Sequence, residues 1–268
     1  MGGAMATTNF GRCLALVLQH EGGKVNNPKD PGGKTNQGVT KAVYDAFRKS
    51  NGLAPRDVYG MSDAERDAIY RAGYWAPCAG DELPAGVDYA TFDAGVNSGV
   101  SRSVKWLQKA LGIAADGKAG SGTIASAKSA NSVNLIKKMC SLRMGFLRGL
   151  GTFGTFGKGW TRRVAEVEAN AVSMTFATPA EAKVHAENEA IAATAASKAQ
   201  IKTATATGGA GAATSTQLDP SHFDAIAPWL LAGGITVLVI AAVILIAHAR
   251  ANAHRAAAYA AVAANPGS

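Results

Sequence analysis

The sequence predicts a mainly α-helical domain with one small hairpin or loop element, followed by a flexible linker and a C-terminal helix apolar enough to cross a membrane. Three observations carry this. Apolar residues recur at helical spacing in segment after segment up to about residue 172; residues 24–38 interrupt them with a cluster of Asn, Pro, Asp and Gly. Beyond residue 173 large apolar side chains almost vanish, until an uncharged apolar run appears near the end.

The first helix is read from Phe10, Leu14, Val17 and Leu18, with Thr8 or Asn9 as its N-cap and Gly22-Gly23 as its end. Residues 24–38 read as tight turns or a small hairpin. Helix resumes over 40–50. The next helix starts at Ser62, where Glu65 three residues on makes a capping-box pattern, and stops before Pro77. Further helices are predicted over about 88–97, 101–111, 121–130, 132–150 and 159–171. Trp106 belongs to the core of this arrangement.

Residues 173–225, rich in Ala, Thr, Ser and Gly, offer too little apolar surface to offset chain entropy and read as a linker, with transient helix over 179–200. The run PWLLAGGITVLVIAAVILIA within 226–248 has the length of a membrane-spanning helix, leaving a short tail at 249–268. Arg250 and Arg255 follow it while Asp219 and Asp224 precede it, so the expected placement is the bacterial inner membrane with the folded domain on the periplasmic, cell-wall side. The N-terminus has no basic patch followed by a long apolar run, so no cleavable signal peptide is expected.

Charge is unevenly distributed. Up to residue 172 the chain has 22 Lys and Arg against 14 Asp and Glu, and beyond it 5 against 5. A basic folded part is drawn to polyanions. No zinc spacing, Lys/Arg block or aromatic RNA-binding strand accompanies the charge, so nucleic acid is not the expected partner. Cys13, Cys78 and Cys140 are too few and too far apart for a disulfide framework or a CxxC metal site, and Cys13 and Cys140 lie on apolar helical faces. No metal or other cofactor is expected: His20 beside Glu21 lacks the second histidine of HExxH.

The chemistry-bearing residues cluster between positions 20 and 40. Hydrolysis of a glycosidic bond needs a carboxylic acid to protonate the leaving oxygen, and a second group to manage the attacking water or act as nucleophile. Glu21, at the end of an apolar-faced helix, is the candidate acid, because partial burial favours its neutral form. Gly22 and Gly23 remove side-chain bulk beside it, so that a polymer can approach. Asp30 and Thr35 follow in the Gly-punctuated stretch, and a hairpin folding back would bring them to face Glu21. Taken alone, a helix-end Glu and an Asx-turn Asp have ordinary structural explanations. Tyr74 and Trp75 before Pro77 are candidates for stacking on sugars. Asn97 is a candidate either for holding an N-acetyl group or for capping a helix.

The string HEGGKVNNPKDPGGKTNQGVT, from His20 to Thr40, resembles the signature of glycoside hydrolase family 108, the N-acetylmuramidases of bacteria and phages. The matching positions are Glu21, Gly22, Gly23, Asp30, Gly32, Gly33, Thr35, Gly38, Val39 and Thr40. The resemblance extends through Tyr74-Trp75 and FDAGVNSG to LQKALGIAADGKAGSGT, and spans roughly residues 8–172. It implies an α+β lysozyme-like catalytic region over 8–98 and a peptidoglycan-binding region over 99–172. It also implies that Glu21 is the acid and that Asp30 and Thr35 position water; beside these, Gly22, Gly23, Thr40, Tyr74, Trp75 and Asn97 are the candidates for meeting a peptidoglycan strand. A phage or prophage lysis enzyme is the setting it implies. Lys24 departs from the pattern, since an aromatic commonly follows the glycine pair.

Overall fold

The apolar repeat that begins at Phe10 folds as α1 (Phe10–Leu18) and buries Phe10, Cys13, Leu14, Leu16 and Val17, in a computed structural model that describes residues 9–26, 33–216 and 227–266, the side chains of 207–239 excepted. The chain divides into two compact units, Met1–Gly154 and Thr155–Ser268.

In the first unit the turn-rich stretch becomes an antiparallel sheet of β1 (Lys24–Asn26), β2 (Lys34–Asn36) and β3 (Val39–Thr40), in that order. Thr40 then caps α2 (Lys41–Ser50), its hydroxyl accepting from the Val43 N–H at 3.3 Å. A 3₁₀ turn (Val58–Gly60) leads to α3 (Asp63–Tyr70). Here the predicted capping box is formed: the Ser62 N–H donates to Glu65 at 2.9 Å and the Glu65 N–H to Ser62 at 3.3 Å. Instead of continuing as α-helix to Pro77, the chain widens into a π-helical turn over Arg71–Trp75. Such turns redirect the side chains after them and occur often at functional sites.

Four helices complete this unit: α4 (Val87–Ser98), α5 (Val100–Leu111), α6 (Ser121–Ser129) and α7 (Ser132–Arg148). Every residue of α4 from Val87 to Gly95 is buried, and α1, α5 and α7 pack against it. Polar groups on it must therefore find partners inside the protein. Asp93 does so through Arg143 of α7 at 2.6 Å, both side chains almost fully enclosed.

Asp88, in the first turn of α4, accepts from its neighbour's N–H on Tyr89 and from Asn9 at 3.2 Å. Burial nevertheless pushes its carboxyl up to about 6. The folded protein thus holds a proton between roughly pH 4 and 6 that the unfolded chain releases. This contribution to stability is complete below the ordinary carboxylate value and lost as pH rises to about 6, amounting to about 3 kcal/mol. Asp88→Asn should therefore gain on the parent in unfolding free energy between pH 4 and pH 7. A constant difference across that range in chemical denaturation would show that Asp88 does not titrate there.

The second unit corrects two expectations. Residues 179–216, read as linker, form the single helix α9 (Pro179–Thr216). Its start is a second capping box, with the Thr178 N–H donating to Glu181 at 3.3 Å and the Glu181 N–H to Thr178 at 3.2 Å. The composition that lacks core-forming bulk is also rich in alanine, the best helix former, and small buried residues such as Ala182, Ala186 and Ala193 permit close helix packing. Residues 217–225 of the expected linker lie outside the described residues.

The expected C-terminal transmembrane helix, and with it the membrane-anchored placement, is overturned: among the described residues no helix is long and apolar enough to cross a membrane. The apolar run falls in α10 (Ala227–Ala264), which continues well past it through His248, Arg250, Asn252, His254 and Arg255. Beyond the apolar run, from Ala249 on, this helix packs on protein. Ser197 of α9 donates to the Ala249 carbonyl at 2.9 Å, and Asn252 donates to Gln200 at 3.0 Å. Arg255 grips the buried Glu168 of α8 (Phe153–Ser173) through two nitrogens at 2.9 and 2.7 Å, with the Tyr259 hydroxyl on the same oxygen at 3.2 Å. Hydropathy over a window registers the apolar run but not these polar partners farther along the helix.

Candidate functional site

Glu21 lies three residues past the end of α1, which closes with the His20 N–H donating to the Val17 carbonyl at 2.9 Å. Its side chain is half-buried. What covers it comes from the sheet. The β2–β3 connection consists of Gln37 and Gly38, both with positive φ (49° and 78°), as the two central residues of a type I′ hairpin turn have. Gly38 approaches the acid so closely that a Cβ there would stand 3.1 Å from Glu21 Oε2 and 3.3 Å from its Cγ, and would overlap the Tyr70 hydroxyl. Only glycine fits this position, for its φ and for its neighbours alike.

Two tyrosines from the end of α3 and the π turn complete the cluster. Tyr70 is enclosed, its ring 5.7 Å from that of Tyr74, and its hydroxyl donates to the Gln37 carbonyl at 2.9 Å. Tyr74 is half-buried; burial pushes its phenol up, and the negative charge of Glu21 adds to the shift. The π turn separates it from its neighbour Trp75, which points into the core.

Trp75 has 0% of its surface exposed, packs edge-on against Phe10 and Phe92, and donates its indole N–H to Asp81 at 2.8 Å. Stacking on a sugar is not open to it. Asn97 is half-buried, and its carboxamide oxygen accepts from Arg143 at 3.1 Å and from the Ser98 hydroxyl at 3.1 Å. That oxygen serves the α4–α7 contact. Thr40 caps α2 as described above.

Sheet register places the remaining candidates. Val25, Thr35 and Thr40 stand opposite one another across the three strands and so share one face. Lys24, Lys34 and Asn36 share the other, where Asn36 donates to the Val58 carbonyl at 3.1 Å. On that face the Lys24 and Lys34 ammonium groups lie 5.6 and 5.2 Å from the centre of the Tyr59 ring. The lysine that replaces the usual aromatic is thus held against an aromatic from elsewhere in the chain, on the face opposite Thr35. Asp30 and Gly32 lie outside the described residues. Gly22 and Gly23 are exposed, and neither has a positive φ; a Cβ would meet only Val25 Cγ2 at 3.9 Å for Gly22 and nothing within 4 Å for Gly23. No contact within the described protein demands glycine at either position.

Tyr70, Gln37 and Gly38 were not singled out by chemistry in the sequence. The Gly38 match in the motif was the available signal, and its meaning is the close approach to Glu21. The cysteines offer no competing site. All three are buried, and burial pushes the Cys78 thiol up to about 12, which leaves it protonated and unreactive. The Asp116-Gly117 loop is a turn closed by the Lys118 N–H on Asp116 at 2.9 Å and by Gln108.

Comparison with known proteins places this cluster in a family. The sequence model of glycosyl hydrolase 108 matches residues 14–99, which include Glu21, the sheet and the two tyrosines. Among solved structures the chain is similar to that titled "Structure of Brucella abortus SagA", at 41% identity and a TM-score of 0.56, over 63% of this chain and 97% of that one. No curated protein matches. With that identity over nearly the whole of the relative, and the family match centred on the cluster around Glu21, the chain belongs to the glycosyl hydrolase 108 family and is a glycoside hydrolase.

Proposed function

We propose that this protein is an N-acetylmuramidase that hydrolyses the β-1,4 bond between N-acetylmuramic acid and N-acetylglucosamine in peptidoglycan. Glu21 is the general acid and protonates the leaving glycosidic oxygen. The observation that carries this reading is the half-buried carboxyl of Glu21 seated against Gly38 in a chain of this family. Asp30 and Thr35 position the hydrolytic water, Thr35 from the sheet face it shares with Thr40 and Val25. The open surroundings of Gly22 and Gly23 support the approach of a glycan strand from that side, and the half-buried Tyr74, which feels the charge of Glu21, flanks the strand next to the acid.

In this reading the exposed basic side chains within residues 99–172 hold the wall polymer. Between 101 and 150 the chain carries nine Lys and Arg but only one acidic residue, Asp116. Arg102, Lys105 and Lys109 are exposed at helical spacing along α5, forming one cationic stripe. Such a stripe attracts the carboxylates of an anionic wall, more weakly as salt rises.

Digestion of purified peptidoglycan followed by mass analysis of the released muropeptides tests the reaction. The expected products have reducing N-acetylmuramic acid ends, each having gained one water. Anhydro-muramyl ends would instead identify a lytic transglycosylase, which uses the acid without hydrolytic water, and fragments cut only at peptide bonds would exclude glycoside cleavage.

A further inference from the structure

Tyr70 lies next to the acid but is enclosed and does not reach solvent. Its hydroxyl donates to the Gln37 carbonyl at 2.9 Å, and its enclosure keeps it from meeting the substrate as an acid or base. The carbonyl it holds belongs to a residue whose backbone is costly. Gln37 has φ 49° without being glycine, a conformation that persists only where surrounding contacts enforce it. Three contacts do so: the Tyr70 hydroxyl on its carbonyl, Arg66, whose Nη1 donates to the Gln37 side-chain oxygen at 2.8 Å, and the Gly23 carbonyl, which accepts from the Gln37 N–H at 3.4 Å. The first two come from α3, which the capping box at Ser62 and Glu65 fixes at its start. The next residue, Gly38, is the one lying against the Glu21 carboxyl.

We infer that Tyr70 is a positioning residue for the acid, fixing the Gln37-Gly38 turn against Glu21 and thereby setting where the carboxyl points. The inference rests on Glu21 being the acid. General acid catalysis needs the proton donor within hydrogen-bonding distance of the leaving oxygen, and small misplacements of such a group cost large factors in rate. If the tether is lost, the strained turn relaxes, the surface on which the carboxyl rests moves away, and the carboxyl samples more orientations. Substrate is bound by other groups, so the loss falls on turnover and not on binding.

The test uses the full chain on purified peptidoglycan, measuring kcat and KM from the release of reducing ends together with Tm. Tyr70→Phe keeps the ring and removes only the hydroxyl; kcat is expected to fall about tenfold with KM within about twofold of the parent. Gln37→Gly removes the Arg66 tether while permitting the positive φ, and is expected to lower kcat about threefold. Ser103→Ala serves as the control, because it also removes a buried hydroxyl bonded to a backbone carbonyl, that of Thr91 at 2.6 Å, away from the site. It is expected to lower Tm by a similar amount and leave kcat unchanged. Tyr70→Phe and Gln37→Gly both within about twofold of parental kcat, or an equal kcat loss in Ser103→Ala, would overturn the positioning role. Glu21→Gln measured in parallel separates the two readings. Parental turnover in that variant removes the acid assignment itself, whereas an inactive Glu21→Gln beside fully active tether variants overturns only the role of Tyr70.

Discussion

Glu21→Gln is expected to lower the turnover of glycan strands by about 1,000-fold while leaving attachment to the wall as it was. The amide matches the carboxyl in size, so it rests on Gly38 without the overlap that a Cβ at residue 38 would cause. What it lacks is a proton to give to the leaving oxygen at the moment the glycosidic bond breaks. The cationic stripe of Arg102, Lys105 and Lys109 is untouched, so binding persists. Release of reducing ends measures the first quantity and co-sedimentation with insoluble peptidoglycan the second. Turnover within about tenfold of the parent would place the acid at another residue. Loss of both turnover and binding would point to a damaged fold.

Arg143→Met is expected to destabilise the first unit by about 3–5 kcal/mol. Asp93 has none of its surface exposed and Arg143 2%, and they meet at 2.6 Å, so the substitution strips a buried carboxylate of its cation. The same change deprives Asn97 of a donor. Replacing both charges, as Asp93→Leu with Arg143→Met, is expected to recover most of the loss, because the penalty comes from leaving one charge behind and not from lacking the pair. Recovery is aided by a further detail: Arg143 Nε is buried with no hydrogen-bond partner among the described residues, so the native pair itself carries a desolvation cost. Chemical denaturation of the parent, the two single variants and the double variant gives the coupling directly. A double variant no more stable than Arg143→Met would contradict this account.

The catalytic region was more legible in the sequence than the C-terminal half. Helices α1 to α7 follow from apolar spacing, glycine and proline punctuation, and the Ser62–Glu65 pattern. All of these act within a few residues, which is why they can be read locally. The C-terminal segments were misread for a related reason. Low bulk argued for a linker, and a high mean hydropathy argued for a membrane span. Each is a property of composition, whereas α9 and α10 are shaped by what they touch, including Ser197 on Ala249 and Arg255 on Glu168. Contacts some 50 to 90 residues apart leave no local trace.

The sequence by itself determined that the first unit is helical with a small sheet, that Glu21 and the glycines around it match a glycoside hydrolase signature, and that Cys13, Cys140 and Trp106 are core. It could not say which of two adjacent aromatics reaches the site. The π turn decides that, sending Trp75 into the core and Tyr74 toward Glu21. Only the tertiary structure also explains Gly38, because a glycine kept open for a carboxyl 17 positions earlier and a hydroxyl 32 positions later is required by spatial proximity and not by local conformation alone.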